Sequence, residues 1–296
     1  MNYMGIAEKR LRPAIQGASI GDILVASGRL TIPDLNRIIA LQQKENILFG
    51  NAAVALGIVT EEDVLTALAC QYFYPCVKSD DTSLSTELLA VHDPLNPAVE
   101  SFRSIRSGLL LSGAGKIIKT ISVLSPDEGE GKTFVAANLA VVFAQQGSRT
   151  ILVDLNFRKP RVHEIFSIKN NCGASSLIIK RALYEQAVMR TSIESLDIMS
   201  SGPKPPNPLE LLSWDDAKWM VDSLRELYDI VLIDTPASSK TADASVISAF
   251  CDGAIIVARK GYTKLDLFGA LKKQLDHSSV KIMGSVINEK VDGKKK

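Results

Sequence analysis

Ser125-Pro126-Asp127-Glu128-Gly129-Glu130-Gly131-Lys132-Thr133 is the stretch on which the fold turns. Before it, Ile117 to Leu124 (IIKTISVL) reads as a buried strand; after it, Phe134 to Gln146 (FVAANLAVVFAQQ) reads as a helix with an apolar face. A strand, a tight acidic turn carrying glycines, and Gly-Lys-Thr opening a helix make the layout of a phosphate-binding P-loop. The backbone N–H groups from Asp127 through Glu128, Gly129, Glu130 and Gly131 to Thr133 form an anion nest at the helix N-terminus. Lys132 adds a mobile positive charge, and the Thr133 hydroxyl is a ligand for Mg²⁺. Pro126 stands where the first glycine of the motif is usual. A chance Gly-Lys-Thr in a surface turn is the rival, and the flanking strand and helix weigh against it.

Beyond the loop the chain alternates apolar runs with helical stretches. Strands are expected at 149–154, 195–199, 229–234, 254–258 and 280–287, and helices near 174–180, 216–227, 242–250 and 264–276. Continuous apolar strands between helices imply an α/β fold, a P-loop NTPase with a mostly parallel sheet covered by helices. Ligands then bind beyond the strand C-termini, where Asp154 and Asp234 fall. A carboxylate there holds Mg²⁺ directly or through water beside the phosphates. For Asp234, followed by Thr235-Pro236, a helix cap or turn role is the competing reading.

A chain of 296 residues is long for one core, so two domains are expected. The formal net charge of +1 gives no reason to expect a nucleic-acid polymer as partner. No uncharged apolar run approaches the roughly 18 residues that span a bilayer. The start, MNYMGIAEKRLRP, lacks an apolar signal core, so a cytoplasmic protein is expected. Cys70, Cys76, Cys172 and Cys251 have neither metal nor redox spacing and are expected to be reduced and partly buried.

Residues 17–77 contain a doubled motif. SIGDILVASGRLTIPDLNRIIALQ starts at Ser19 and LFGNAAVALGIVTEEDVLTALACQ at Leu48, two 24-residue copies separated by five residues. Gly21 aligns with Gly50, Gly28 with Gly57, Thr31 with Thr60 and Gln42 with Gln71. Each copy reads as a short helix ending at Gly28 or Gly57, then a second helix capped by Thr31 or Thr60. Neither copy buries its apolar face alone, so the two are expected to pack as one small helical domain. Residues 78–98, polar and carrying Pro94 and Pro97, read as a linker around a short helix at 85–91. From 99 to 290 the chain reads as the nucleotide domain. Its first helix presents Glu100, Arg103 and Arg106 at i, i+3 and i+6, on charge patterning alone an exposed face with local pairs.

These segments resemble known families. The doubled motif resembles the MshEN-type domain of secretion and pilus ATPases, which binds cyclic di-GMP. The resemblance implies Gly21, Gly28, Gln42, Gly50, Gly57 and Gln71 as dinucleotide-site positions. The family's leading arginine is replaced by Ser19 and Leu48, and a usual leucine by Ala53. Loss of the guanidinium removes a bidentate, stacking partner, so a scaffold that no longer binds the dinucleotide stands as the alternative.

From about residue 96 to 290 the chain resembles bacterial tyrosine kinases. Ile151-Leu152-Val153-Asp154-Leu155-Asn156-Phe157-Arg158-Lys159-Pro160 is similar to their A-prime motif and Ile230-Val231-Leu232-Ile233-Asp234-Thr235-Pro236 to their Walker B motif. The segment from Ser201 to Leu212 is similar to their Gly-Pro-x-Pro-Pro-Asn-Pro-x-Glu-Leu-Leu run. The order of both halves in one chain is similar to the EpsG type, the chain-length-determinant kinases of exopolysaccharide assembly. The resemblance implies ATP and Mg²⁺ as cofactors, with Lys132, Asp154 and Asp234 catalytic and Thr133, Asp154 and Asp234 around the metal. It implies Arg259 and Asn288 at the adenine, and Glu100, Arg103 and Arg106 in contacts between subunits of a homo-oligomeric ring. A membrane-spanning polysaccharide copolymerase is the implied partner, holding the protein at the inner membrane. Asn156 replaces the second A-prime aspartate, and none of the six tyrosines follows Asn288. An ATP-binding regulatory switch without protein kinase activity is therefore the alternative. Partition ATPases share the fold but need a lysine where this chain has Asp127.

Overall fold

The nine residues of the P-loop stretch join an interior strand of a seven-stranded sheet to its most buried helix. The structure, a computed structural model, describes residues 19–71, 84–112, 117–239, 241–278 and 280–289, without the side chains of residues 62, 66 and 69–71. Expectations for Gln71, Cys70, Cys76, Tyr3, Tyr72, Tyr74 and the tail beyond residue 289 thus lie outside what is described. The chain divides into two compact units, Met1–Lys78 and Ser79–Lys296.

The first unit holds the doubled motif as α1 (Ile20–Ala26), α2 (Ile32–Glu45), α3 (Phe49–Ala55) and α4 (Glu61–Gln71). Each copy is a helix pair, and the pairs interlock: α1 packs on α4 and α2 on α3. Leu24, Leu30, Ile38, Ala52, Ala53, Val59 and Ala67 are the shared core. Gly28 and Gly57 follow their helices with φ of 72° and 63°, the left-handed C-terminal stop that a side chain disfavours. Gly21 and Gly50 are glycines for closeness: a Cβ would sit 2.6 Å from Leu35 Cδ1 or from Val64 Cγ1, which occupy equivalent places in the two copies. Thr31 and Thr60 cap the second helices reciprocally with Asp34 and Asp63, as expected.

In the second unit, α5 (Leu89–His92) and α6 (Pro97–Leu111) precede β1 (Thr120–Leu124) and α7 (Lys132–Gln145). Then follow β2 (Thr150–Asp154), α8 (Val162–Ile165), α9 (Ala174–Ile178), α10 (Tyr184–Ala187), β3 (Val188–Arg190) and β4 (Leu196–Met199). The chain continues through α11 (Pro208–Leu212), α12 (Asp215–Leu227), β5 (Ile230–Asp234), α13 (Asp243–Ser248), β6 (Gly253–Arg259), α14 (Leu265–His277) and β7 (Ile282–Asn288). The strand order is β3-β4-β2-β5-β1-β6-β7, parallel except for β3. The apolar runs meet the mostly parallel expectation. The three-residue β3 is too short to show a period and was not anticipated.

Two core clusters lie side by side on the same face of the sheet. One joins Ile151, Val153, Val231 and Ile233 to Met220, Val221 and Leu224 of α12; the other joins Leu124, Ala254 and Ile256 to Leu271 and Leu275 of α14. Between Thr133 and Ala144, α7 is buried all round except at Phe134, because α5 and α6 cover the side that does not face the strands.

That cover corrects the linker assigned to 78–98, whose described part, 84–98, belongs to the second unit. Leu84, Leu88, Ala90 and Val91 are buried. Fully buried Asn138 of α7 accepts from Ala90 N–H at 3.0 Å and donates to Glu87 C=O at 2.9 Å, while Gln145 donates to Ala90 C=O. A polar, proline-bearing segment looked like a tether because its apolar residues serve a partner 50 residues away.

Candidate nucleotide site

The sheet register brings the two acids together. Asp154 and Asp234 end neighbouring strands and are directly opposed across the β2–β5 pair. Both are fully buried. Burial, then the nearby Asp234 charge, raises the Asp154 carboxyl well above its ordinary value. Asp234 is pushed up to about 6 by burial, against the pull of Lys132 and of its bond from Thr133.

The two do different work. Asp154 Oδ1 accepts from Asn156 N–H at 3.0 Å, and Oδ2 accepts from Arg161 and Val162 N–H at 3.1 Å each, so it anchors the loop after β2. Asp234 Oδ2 accepts from Thr133 Oγ1 at 2.7 Å, which links Walker B to the start of α7 and answers the cap reading. Its Oδ1 is buried without a hydrogen-bond partner among the described residues. An unpaired carboxylate oxygen costs about 1–3 kcal/mol or more, and it stands beside a hydroxyl in oxygen-ligand chemistry suited to Mg²⁺. The residues present therefore fit the ion: Thr133 and Asp234 as direct ligands, Asp154 at one remove.

Gly131 caps α7 with φ of 94°, and a Cβ there would sit 2.1 Å from Asn288 Nδ2. Only glycine satisfies both the left-handed turn and that approach. Lys132 and Thr133, 7% and 8% exposed, line a cavity of about 220 Å³ with Glu128, Gly129, Gly131 and Phe134. The far wall consists of Asn156, Arg158, Lys159 and Arg161 after β2 and Pro236, Ala237 and Thr241 after β5.

Other residues expected at the nucleotide are placed behind it. Glu130, fully buried, accepts from Asp127 N–H at 2.8 Å and from Thr263 Oγ1 at 2.6 Å. Asp127 Oδ1 accepts from Glu128 N–H and Ser239 Oγ. These side chains brace the loop from within and are absent from the cavity wall. Arg259 and Asn288, opposed in the β6–β7 register, also grip the loop: Asn288 donates to Glu130 C=O at 3.0 Å and Arg259 to Gly129 C=O at 3.4 Å. Asn156 is a brace too. Its Nδ2 donates to Lys159 C=O and its Oδ1 accepts from Lys159 N–H, a pairing in which an aspartate has no donor. Away from the cavity, Arg103 donates to Pro94 C=O and Glu100, and Arg106 to Val142 C=O of α7. These arginines, read from charge pattern as an exposed face, tie α6 into its own unit, while the Glu100 side chain is 69% exposed.

The cations of the far wall were not assigned from sequence. Their only signal is position, in the run from Asn156 to Arg161 that the register of Asp154 carries to the sheet's C-terminal edge. In the first unit, Gly21, Gly28, Gly50 and Gly57 are accounted for by packing and helix termination, so none of the four is itself a sign of a ligand.

Known proteins share this arrangement. The AAA domain family matches residues 118–275. Tyrosine-protein kinase YwqD of Bacillus subtilis is 36% identical over 216 residues, covering 72% of this chain and 90% of the relative. The crystal structure of the chimerical protein CapA2B2 is similar with a TM-score of 0.66 and 35% identity, over 77% of this chain and 98% of that one. The kinase domain of Escherichia coli tyrosine kinase ETK gives 0.66 and 26% identity, over 71% and 83%. With Lys132, Thr133, Asp154 and Asp234 gathered at one sheet edge and that extent of identity, this chain belongs to the bacterial P-loop tyrosine-protein kinases.

Proposed function

We propose that this kinase is an ATP-dependent tyrosine autokinase that regulates exopolysaccharide polymerisation, chain length and export. The observation that carries its chemistry is the Thr133–Asp234 bond beside the unpartnered Asp234 Oδ1, at the foot of a P-loop with a buried lysine. Mg²⁺ held there by Thr133 and Asp234 would neutralise charge on the phosphate groups. Lys132 and the N–H groups of Gly129 and Gly131 orient the triphosphate, and Thr133 and Asp234 fix the edge on which it rests. Asp154 holds the loop after β2, so that its wall faces the reacting phosphate, and stands nearest the acceptor hydroxyl as base or water-linked ligand. Arg259 and Asn288, which grip the P-loop at its β6–β7 side, complete the nucleotide site at the adenine.

The joining of a doubled helical motif to a kinase unit supports the placement in exopolysaccharide assembly, with a membrane-spanning copolymerase as partner. No helix among the described residues is long and apolar enough to cross a membrane, so membrane placement in this reading comes from that partner. Exposed Glu100 at the start of α6 supports assembly of a homo-oligomeric ring through that helix. The doubled motif supports a cyclic di-GMP site on the first unit. Calorimetry with the full chain reads it, and no heat at high-micromolar dinucleotide leaves that unit a scaffold.

The deciding experiment is incubation of the full chain with labelled ATP, Mg²⁺ and the copolymerase's cytoplasmic segment. Phosphotyrosine on either protein is expected. Bound ATP with no phosphotyrosine on either would replace this reading by a nucleotide-dependent switch.

A further inference from the structure

Three cations on the loop after β2 line the phosphate cavity, and they are held differently. Lys159 Nζ is paired with Glu128 at 2.5 Å. Arg161 is divided between Glu87 at 2.6 Å and Glu164 at 3.5 Å. Arg158 presents one edge of its guanidinium to a single carboxylate: Nε donates to Asp243 Oδ2 at 2.7 Å and Nη2 to Asp243 Oδ1 at 3.1 Å. Asp243 opens α13 and its side chain is 1% exposed, whereas that of Arg158 is 40% exposed. Arg158 Nη1 has no hydrogen-bond partner among the described residues. A planar guanidinium pinned along one edge by a buried carboxylate keeps its remaining N–H groups in a fixed direction. Thr241, two residues before Asp243, lines the same cavity, and its buried Oγ1 also lacks a partner.

The charge balance of the loop says what such a group is for. A transferring phosphoryl spreads negative charge over three oxygens. Among the P-loop residues that line the cavity, Lys132 is the one cation, and Glu128 beside it is already paired with Lys159. Beyond the charge that Mg²⁺ and Lys132 supply, further side-chain cations at the cavity come from the opposite wall.

We propose that Arg158 is a catalytic residue of phosphoryl transfer, contacting the γ-phosphoryl oxygens through Nη1, and that Asp243 is the residue that positions it. This rests on the kinase reading above. In the step, the bond from the γ-phosphorus to the β,γ-bridging oxygen breaks and a bond to the tyrosyl oxygen forms. The tyrosyl proton passes to Asp154 or, through water, to solvent, and ADP leaves. Arg158 exchanges no proton; it meets charge that is greatest between the two bonds.

The test compares the full chain with Arg158→Gln, Arg158→Lys, Asp243→Asn and the double variant Arg158→Gln/Asp243→Asn. ADP formation and phosphotyrosine are followed, with Mg·ADP affinity and thermal midpoint as separate readouts. Arg158→Gln is expected to lower kcat by about 100-fold or more with ADP affinity within about threefold, and Arg158→Lys to recover only part of that loss. Asp243→Asn is expected to lower kcat by about tenfold, and the double variant to match Arg158→Gln, because both act through one guanidinium. Unchanged kcat in Arg158→Gln, an equal loss of ADP affinity, or losses that multiply in the double variant would each overturn the assignment. So would an Asp243→Asn protein with a lower thermal midpoint and unaltered kcat. A wild-type chain that releases phosphate from ATP but labels no tyrosine defeats the kinase reading alone, since Arg158 is then judged on phosphate release. A wild-type chain with no turnover defeats both.

Discussion

The capping aspartates of the helical unit and the strand-end aspartates of the kinase unit obey opposite electrostatic rules. Asp22, Asp34 and Asp63 sit at helix starts on the surface of the helical unit. Their carboxyls lie below the ordinary value, Asp22 and Asp34 chiefly through bonds from the Ser19 and Thr31 hydroxyls, Asp63 through the bond from the Thr60 backbone. Asp154 and Asp234, buried at opposed strand ends, lie above it because water has been removed, and Asp154 also because it faces the Asp234 charge. The first set stabilises the fold in its charged form. The second is carried at a cost to the fold, and that cost marks the place where chemistry is done.

The largest effect is expected from the buried pair. Asp234→Asn should lower phosphoryl transfer by about 100-fold or more while raising the thermal midpoint of the nucleotide-free protein. Steady-state ADP formation and calorimetric melting of the same sample check both; a lower midpoint would break the comparison. Next comes the segment joined to α7. Asn138→Leu strands the Ala90 N–H and Glu87 C=O and should cost about 1–3 kcal/mol, with hydrogen exchange rising first across 84–92.

Smaller is the loss of one cap. Thr60→Ala should destabilise the helical unit by about 1 kcal/mol in denaturant unfolding and leave ADP formation unchanged. The smallest effect is set by pH. The capping aspartates have folded values below their unfolded values, so their stabilisation is present above about pH 4 and is lost as pH falls through the lowered folded values. Thr31→Ala, which removes the hydroxyl that chiefly lowers Asp34, should flatten the part of this acid dependence that Asp34 contributes, measured as urea midpoints between about pH 5 and 2.5.

Much of this was legible because it is local or periodic. Gly131-Lys132-Thr133 after a strand, the apolar runs ending in Asp154 and Asp234, and the 24-residue repeat with Thr31 and Thr60 as caps each reside in a few neighbouring residues. What was misread is long-range. Residues 84–98 looked like a tether until Asn138 bonded their backbone, and the carboxylates of Glu130 and Asp127 bond within and beside the loop and do not line the cavity. Arg158 looked like part of a motif until buried Asp243, 85 residues away, took one edge of its guanidinium.

By itself the sequence determined the α/β class, the anion nest, the two strand-end acids and the doubled helical unit, since propensity, capping and hydrophobic period act within about one element. Only the tertiary structure decided which side chains face the phosphates and which brace the loop that binds them. Facing is a matter of register and packing: one strand pairing sets Asp154 against Asp234, and one helix start turns Arg158 toward the cavity. Residue type alone does not distinguish a carboxylate that holds metal from one that holds backbone; burial and its bonding partners do.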